Sequence, residues 1–234
     1  MRILRAISII LFLSSINASK IEFDRYTIDD GLSQNTVYKV FQDSRGYIWL
    51  GTQGGLDRFN GYEFKHYEHE SNDSTSIVNG WIRAINEDED GLLWLGTVGG
   101  NLGWFDPYDE IGGEIDLFAD HPDFDRPGYI YDILFHGDYI FLTTLGSGLC
   151  RYNRNDGSTL WYSSDSTSKH YIKDRVFTNV YSISEDKILF GDRSIIILNT
   201  ETNEHVEPYN QLIEKEIGVP FDSIKVSSIT QTND

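Results

Sequence analysis

Short apolar runs alternate with polar, glycine-containing turns along most of the chain. In the first clear unit the β-branched and aromatic residues form four runs, at 37–42, 47–52, 56–60 and 62–67. Glycines between the runs supply the positive φ that closes a tight hairpin, and Asn60-Gly61 is a typical hairpin dipeptide. Apolar residues three apart would also suit a helix, but runs this short and rich in β-branched residues favour strands. The pattern therefore predicts units of four short antiparallel strands.

The sequence of the second predicted strand of this unit recurs further along the chain. Two close copies share a Trp-Leu-Gly-Thr core, which contains Trp49, Gly51 and Thr52 in one copy and Trp94, Gly96 and Thr97 in the other. The two tryptophans lie 45 residues apart, and weaker copies occur at 139–149 and 187–192. We interpret these six residues as structural positions of a repeat. Strand aromatics usually serve the core, so the tryptophans are expected to pack between neighbouring units and not against a ligand.

The first strand gives a second, independent register. Its apolar pattern recurs at 37–40, 82–85, 130–133, 180–183 and 226–229, with steps of 45, 48, 50 and 46 residues. Four strands in about 45 residues is the size of a β-propeller blade, whose two apolar faces have to be covered by neighbouring blades. We therefore predict an all-β fold, an incomplete β-propeller of four-stranded antiparallel blades with about four blades of a seven-bladed ring.

The repeat divides residues 20–234 into blades. Residues 20–30 resemble the fourth strand of the first unit, so we expect an outer strand there that completes the last blade of the ring. The predicted blades and the start of a fifth are 31–75, 76–122, 123–171, 172–218 and 219–234. A short helix is expected at 209–217. Closed propellers commonly contain more blades than this, which favours a piece of a longer protein.

Residues 1–19 have the three-part pattern of a secretory signal peptide, with a basic start, an apolar core and small residues near Ala18. We therefore expect export to the periplasmic or cell-surface side of a bacterial membrane. The formal net charge of -18 argues against nucleic acid and against an anionic membrane surface as partners. The single cysteine, Cys150, leaves no internal disulfide and is interpreted as a small buried hydrophobic residue.

The sequence segments 31–37, 42–52 and 55–61 closely resemble the two-component regulator propeller repeat, which occurs in extracytoplasmic sensor halves of bacterial hybrid two-component systems. The resemblance implies two seven-bladed propellers, a β-sandwich domain, one membrane-spanning helix and a cytoplasmic output module. That module is usually a histidine kinase of a phosphorelay and in some bacteria a diguanylate cyclase. The resemblance also implies an oligosaccharide ligand, a homodimer of the whole receptor, and partners that are the remaining blades and output domains. The chain itself is expected to be a sensor and not an enzyme.

Ligands of propellers usually meet the loops at one rim of the ring, here 27–36, 68–80 and 163–178. Four candidate ligand-binding residues lie at the entries to first strands: Asn35, Asn79, Trp81 and Tyr129. Asparagine amides beside aromatic rings suit the hydroxyls and ring faces of a sugar. The alternative is that the asparagines serve the turns and the aromatic rings pack in the core.

No catalytic residue, metal site or cofactor is expected. The acidic segment 86–91 aligns with the plain turn at 42–46 and lacks the loop of an EF-hand. His66 and His69 would point to opposite faces of a strand, so they cannot share one metal ion. Two other classes remain open, an exported propeller enzyme such as a lyase or glycosidase, and a secreted adhesion scaffold. A spanning helix and a kinase or cyclase downstream would favour the receptor.

Overall fold

The computed structural model describes residues 23–119, 126–192 and 195–206. The predicted signal peptide, the short helix at 209–217 and the fifth unit lie outside the described residues. Within these described ranges, no helix has the length and apolar character needed to cross a membrane.

Sixteen short strands form the described part of the chain, and they pair in four sheets of four consecutive antiparallel strands. The first sheet contains β1 (Val37–Gln42), β2 (Ile48–Thr52), β3 (Leu56–Phe59) and β4 (Phe64–Tyr67). The second contains β5 (Ile82–Glu87), β6 (Leu93–Thr97), β7 (Leu102–Asp106) and β8 (Ile111–Ile115). The third contains β9 (Ile130–His136), β10 (Tyr139–Thr144), β11 (Leu149–Asn153) and β12 (Thr159–Tyr162). The fourth contains β13 (Phe177–Ser184), β14 (Lys187–Asp192), β15 (Ile195–Asn199) and β16 (His205–Val206).

Three apolar cores join these sheets in sequence order, each lying between two consecutive sheets. The first joins Trp49 and Leu56 of the first sheet to Ile82, Leu93 and Phe105 of the second. The second core joins the second and third sheets through Trp94, Leu102, Ile130, Ile140 and Tyr152, among others. The third joins the third and fourth sheets through Phe141, Leu149, Phe177, Ile188 and Leu198, among others. Sheets that cover one another's apolar faces in order are propeller blades, which confirms the predicted fold class.

The first strands of successive blades, β1, β5, β9 and β13, lie side by side at the inner edge. Each of them carries one extra residue at the same point of its pairing with the second strand, which makes a β-bulge in every blade. The bulged residues are Tyr38, Arg83, Tyr131 and Thr178. A bulge re-aims the side chain of its extra residue, so four residues from four blades are turned out of the regular alternation at one level.

The strand pairing corrects the fourth copy of the first-strand register. Phe177 pairs with Asp192 as Val37 pairs with Thr52, so residues 177–180 are the true equivalent of 37–40. The predicted copy at 180–183 is therefore wrong by three residues. Phe177 is fully buried and Ile183 is 43 % exposed, so burial of the aromatic ring selects the register.

The outer strand predicted before the first blade would pair with the last blade of the ring, which is not among the described blades, so it stays a prediction. No strand is present at residues 23–30, where an outer strand was expected, and Ile28–Asp30 forms a single 3-10 turn capped by Thr27. The ring of Tyr26 nevertheless lies 5.0 Å from that of Phe59 and 5.7 Å from that of Phe64. The segment thus covers part of the outer half of the first blade through side chains, without strand pairing.

Candidate functional site

The tryptophans of the repeat occupy equivalent places in the first two blades. The indole nitrogen of Trp49 donates to Asp43 over 2.9 Å, and that of Trp94 donates to Asp88 over 2.8 Å. The other oxygen of each aspartate accepts two backbone N–H groups of its own turn. Trp49 then packs edge-on against Phe105 of the next blade. One side chain therefore fixes both a hairpin turn and a contact between blades.

Glycine and threonine complete this scaffold. A β-carbon on Gly96 would lie 2.6 Å from Cγ2 of Ile130, and one on Gly51 would lie 2.9 Å from the carbonyl oxygen of Ile82. Both glycines thus allow the first strand of the next blade to approach closely. The hydroxyls of Thr52 and Thr97 donate to carbonyl oxygens of the turn that follows their strand. These positions serve the fold in every blade that keeps them.

The bulged residues face a different environment. Tyr38, Arg83, Tyr131 and Thr178 all line one cavity of about 460 Å³ at the inner edge of the blades. This volume lies in the range of small-molecule sites. The scaffold repeats from blade to blade, whereas the bulged position holds phenol, guanidinium, phenol and hydroxyl groups in turn. Chemical variety is thus concentrated on the surface of this cavity, which we call the channel face.

One ion pair crosses the channel face. Nζ of Lys39 in β1 lies 3.4 Å from Oδ1 of Asp132 in β9, and Oδ2 of Asp132 accepts the backbone N–H of Val180 over 3.2 Å. Burial raises the pKa of the Asp132 carboxyl, and the positive charge of Lys39 opposes that rise. The equivalent residue of the second blade is Ala84, whose small side chain is buried. The contact therefore links the first and third blades directly.

Arg83 lies among aromatic rings, and two of these rings, Tyr38 and Tyr131, line the channel face. Its guanidinium carbon lies 4.5 Å from the ring centre of Tyr38, 4.8 Å from Tyr129 and 5.2 Å from Tyr131. The ring of Trp81 lies 5.9 Å from that of Tyr38. Cation–π contacts of this kind hold a guanidinium in place without using its N–H donors. We call this group of five side chains the tyrosine cluster.

A second cavity of about 450 Å³ adjoins the first and shares Tyr131 and Thr178 with it. It is also lined by Lys173, Arg175 and Asp192. Asp192 takes the place of the turn-closing threonines and is buried, and its Oδ1 has no hydrogen-bond partner within the described residues. The two cavities thus lie side by side, with Tyr131 and Thr178 between them.

The four predicted ligand-binding residues divide into two pairs. Oδ1 of Asn35 accepts the backbone N–H of Ile28, and Oδ1 of Asn79 accepts that of Trp81. Both asparagines thus serve local turns, as the alternative interpretation states. Trp81 and Tyr129 instead belong to the tyrosine cluster. Binding by any of the four remains a prediction.

Sequence reasoning missed Tyr38, Arg83 and Tyr131, although all three lie inside the aligned first-strand copies. The available signal was that this position and the one after it change chemistry from copy to copy, while the residues on either side of the two stay apolar. Cys150 is fully buried in the second core, and burial raises the pKa of its thiol, which confirms its interpretation as a hydrophobic residue.

The acidic segment and the histidines have local roles. Asp88 belongs to the hairpin turn described above, and Nδ1 of His66 lies 2.6 Å from Oδ1 of the buried Asp57. Nδ1 of His69 lies 2.8 Å from the carbonyl oxygen of Ile77, away from His66. Among the described residues, no group of three or more acidic, histidine or cysteine side chains is arranged to hold a metal ion.

Comparison with known proteins agrees with this architecture. Over 82 residues the chain is 43 % identical to histidine kinase P4 of Formosa agariphila, an alignment that spans 33 % of this chain and 6 % of that protein. The extracellular domain assigned to a hybrid two component system of B. thetaiotaomicron superposes with a TM-score of 0.67 at 19 % identity, over 79 % of this chain and 26 % of that one. A second extracellular domain of B. thetaiotaomicron, assigned to a one component system, gives a TM-score of 0.53 at 17 % identity, over 79 % and 30 %.

These proteins are far longer than the present chain, and the two solved structures establish the likeness of fold. The family described as two component regulator propeller matches residues 31–54 and 76–99. Those residues contain the bulged first strands, the turn aspartates and the tryptophans of the first two blades. The match therefore covers one copy of the two component regulator propeller repeat in each of the first two blades.

Proposed function

We propose that this chain is the extracytoplasmic ligand-sensing region of a bacterial signal-transduction receptor. It binds a small ligand on the channel face and passes the signal to an output module, such as a histidine kinase, elsewhere in the receptor. The region performs no catalysis itself. The family match, together with the extracellular domains and the histidine kinase among the similar proteins, supports this proposal.

The observation that carries the proposal is the contrast between scaffold and channel face. Four blades place four bulged residues, of three chemical types, around one cavity of about 460 Å³. A purely structural position would be expected to repeat, as the glycine and tryptophan positions do in the first two blades. Convergent polar and aromatic groups at the mouth of a concave surface are typical of a ligand site.

Remaining blades of the receptor are proposed as the partners of the first blade's free face. Val40 is 62 % exposed, whereas its equivalents Ile85, Ile133 and Val180 are each at most 4 % exposed. Those equivalents are covered by the preceding blade. An apolar residue in the same place on the first blade calls for the same cover, which supports a closed ring in the complete receptor.

The proposal is tested by a reporter gene under the control of the full-length receptor in its host. Cells are exposed to a panel of oligosaccharides, and reporter output identifies an inducing sugar. The double substitution Tyr38→Ala and Tyr131→Ala is expected to raise the inducing concentration about 5- to 150-fold, because stacking on aromatic rings contributes about 0.5–1.5 kcal/mol for each ring.

Tyr62→Ala and Tyr108→Ala together are the matched control, since both tyrosines lie at hairpin tips and are more than 80 % exposed. The control should leave the inducing concentration unchanged. Equal responses from the channel-face and control variants, at equal receptor abundance, would contradict a ligand site on the channel face.

A further inference from the structure

We infer that Arg83 recognises an anionic group, a carboxylate or a sulfate, on a ring-shaped ligand that occupies the channel face. This inference rests on the proposed function and specifies the ligand class. Arg83 would make the charged contact, and the aromatic rings of the tyrosine cluster would contact the ring of the ligand.

The first argument is that the guanidinium has no acceptor of its own. Arg83 lines the cavity, and among the described residues it makes no hydrogen bond and no ion pair. Arginine has five N–H donors in a planar fork that matches the two oxygens of a carboxylate or sulfate. The three tyrosine rings fix the position of the fork, so little side-chain entropy remains to be lost when an anion binds.

The second argument compares Arg83 with the other channel-face cation. Lys39 already faces Asp132 at 3.4 Å, so its charge is matched within the protein. Arg83 therefore leaves one positive charge unmatched among the groups that line this cavity, in a chain whose formal net charge is -18. An unmatched cation in this cavity, on a protein of net negative charge, concentrates anions locally, and repulsion by the acidic surface limits their binding elsewhere.

The third argument concerns the shape and polarity of the ligand. The walls near Arg83 are phenol rings, and no hydrogen bond of the hydroxyls of Tyr38, Tyr129 and Tyr131 occurs within the described residues. Phenols offer both an apolar face and a hydroxyl that donates and accepts. A hydroxylated ring that bears an oxyanion would use the ring faces, the hydroxyls and the arginine together.

The test uses the full-length receptor in detergent and calorimetric titration with three probes of similar size. They are trigalacturonic acid as the carboxylate probe, a sulfated galactotriose as the sulfate probe, and unsubstituted galactotriose as the neutral probe. At least one anionic probe is expected to bind at least 10-fold more tightly than the neutral one. The sulfate and carboxylate titrations identify which oxyanion is preferred.

Two substitutions of Arg83 separate charge from shape. Arg83→Met keeps much of the side-chain volume and should weaken anionic binding about 10- to 100-fold, as expected for a lost charged hydrogen bond. Arg83→Lys keeps the positive charge but lacks the planar fork of N–H donors. Its affinity for the anionic probe should lie between that of the unsubstituted receptor and that of Arg83→Met. Arg126→Met is the matched control, because Arg126 also lies over an aromatic ring, that of Phe118 at 4.7 Å, but does not line either cavity.

The possible results each decide the inference. Preference for an anionic probe that Arg83→Met removes and Arg126→Met retains supports it. Neutral and anionic probes that bind equally, with a loss on Tyr38→Ala and none on Arg83→Met, overturn the anion inference and leave the proposed function standing. No binding of any probe, or binding that no channel-face substitution changes, overturns the anion inference together with the proposed site.

Discussion

The first two blades and the last two described blades reach the same architecture by different means. In the first two, a turn aspartate and a tryptophan indole form one hydrogen-bonded unit. In the third and fourth blades, Phe141 and Leu189 replace the tryptophan, and neither turn keeps the aspartate at the equivalent point. Among the four described blades, the turn aspartate is thus present only where an indole N–H is available to it.

This difference shows which contacts a blade requires. Apolar cover between blades is present throughout, since Phe141 is as fully buried as Trp49. The hydrogen bond from indole to aspartate is an addition that fixes the hairpin turn. A buried carboxylate without its donor would cost free energy, so the two residues are expected to be gained or lost together.

The largest expected effect is the loss of apolar cover in the first blade. Trp49→Ala should lower the free energy of unfolding by about 3–5 kcal/mol, because it removes a fully buried ring from the first core. Urea unfolding of the full-length protein, followed by circular dichroism, measures this. Tyr62→Ala is the exposed control and should change little. A loss below about 1 kcal/mol would show that the blades do not depend on this contact.

The next effect tests the close approach of neighbouring blades. Gly96→Ala should cost about 1–3 kcal/mol, because the added carbon would overlap Ile130 and Ala84. Gly80→Ala is the matched control, since no atom lies within 4 Å of the added carbon. The same urea titration measures both. Equal stability of the two variants would mean that the second and third blades are not packed as described.

A smaller effect isolates the aspartate and tryptophan pair. In a double-mutant cycle of Asp43→Asn and Trp49→Phe, the sum of the two single losses should exceed the loss of the double variant by about 1–2 kcal/mol, since each single change already weakens or removes the hydrogen bond from indole to carboxylate. The equivalent cycle on Asp88 and Trp94 should agree. If the single losses simply added in both cycles, the aspartate and the tryptophan would not be energetically coupled.

The smallest effect lies in the third blade, where Thr143 takes the place of the scaffold glycines. Its buried hydroxyl has no partner within the described residues, so Thr143→Val should change stability by less than about 1 kcal/mol or increase it. The neighbouring Thr144→Val should cost about 1–3 kcal/mol, because the Thr144 hydroxyl donates to the carbonyl oxygen of Gly148 over 2.8 Å. Unfolding titrations that reversed this order would contradict the hydrogen bonding of the third blade.

Much of the scaffold could be predicted from the sequence, because glycine turns and apolar runs act locally and return at nearly constant spacing. The register of the fourth blade could not, since Val180 and Ile183 repeat the same three-residue spacing as Val37 and Val40. Only the burial of Phe177 in the third core selects between the two registers, and that depends on the neighbouring blade.

The candidate site was less accessible to sequence reasoning. Trp81 and Tyr129 were identified, but Arg83 and Tyr38 were not, because a bulge becomes visible only when two strands are paired. The sequence also does not tell whether the amide of Asn35 meets a ligand or a backbone N–H nearby. These contacts depend on the turn geometry that the complete fold imposes.

The central claim is that bulged residues of successive blades build a ligand site on a repeated scaffold. Crystallographic localisation of the inducing ligand on the full extracytoplasmic region tests it most directly. Ligand density is expected within hydrogen-bond distance of Arg83 and against the rings of Tyr38 and Tyr131. Density confined to the hairpin tips near Tyr62 and Tyr108, with the channel face empty, would contradict it.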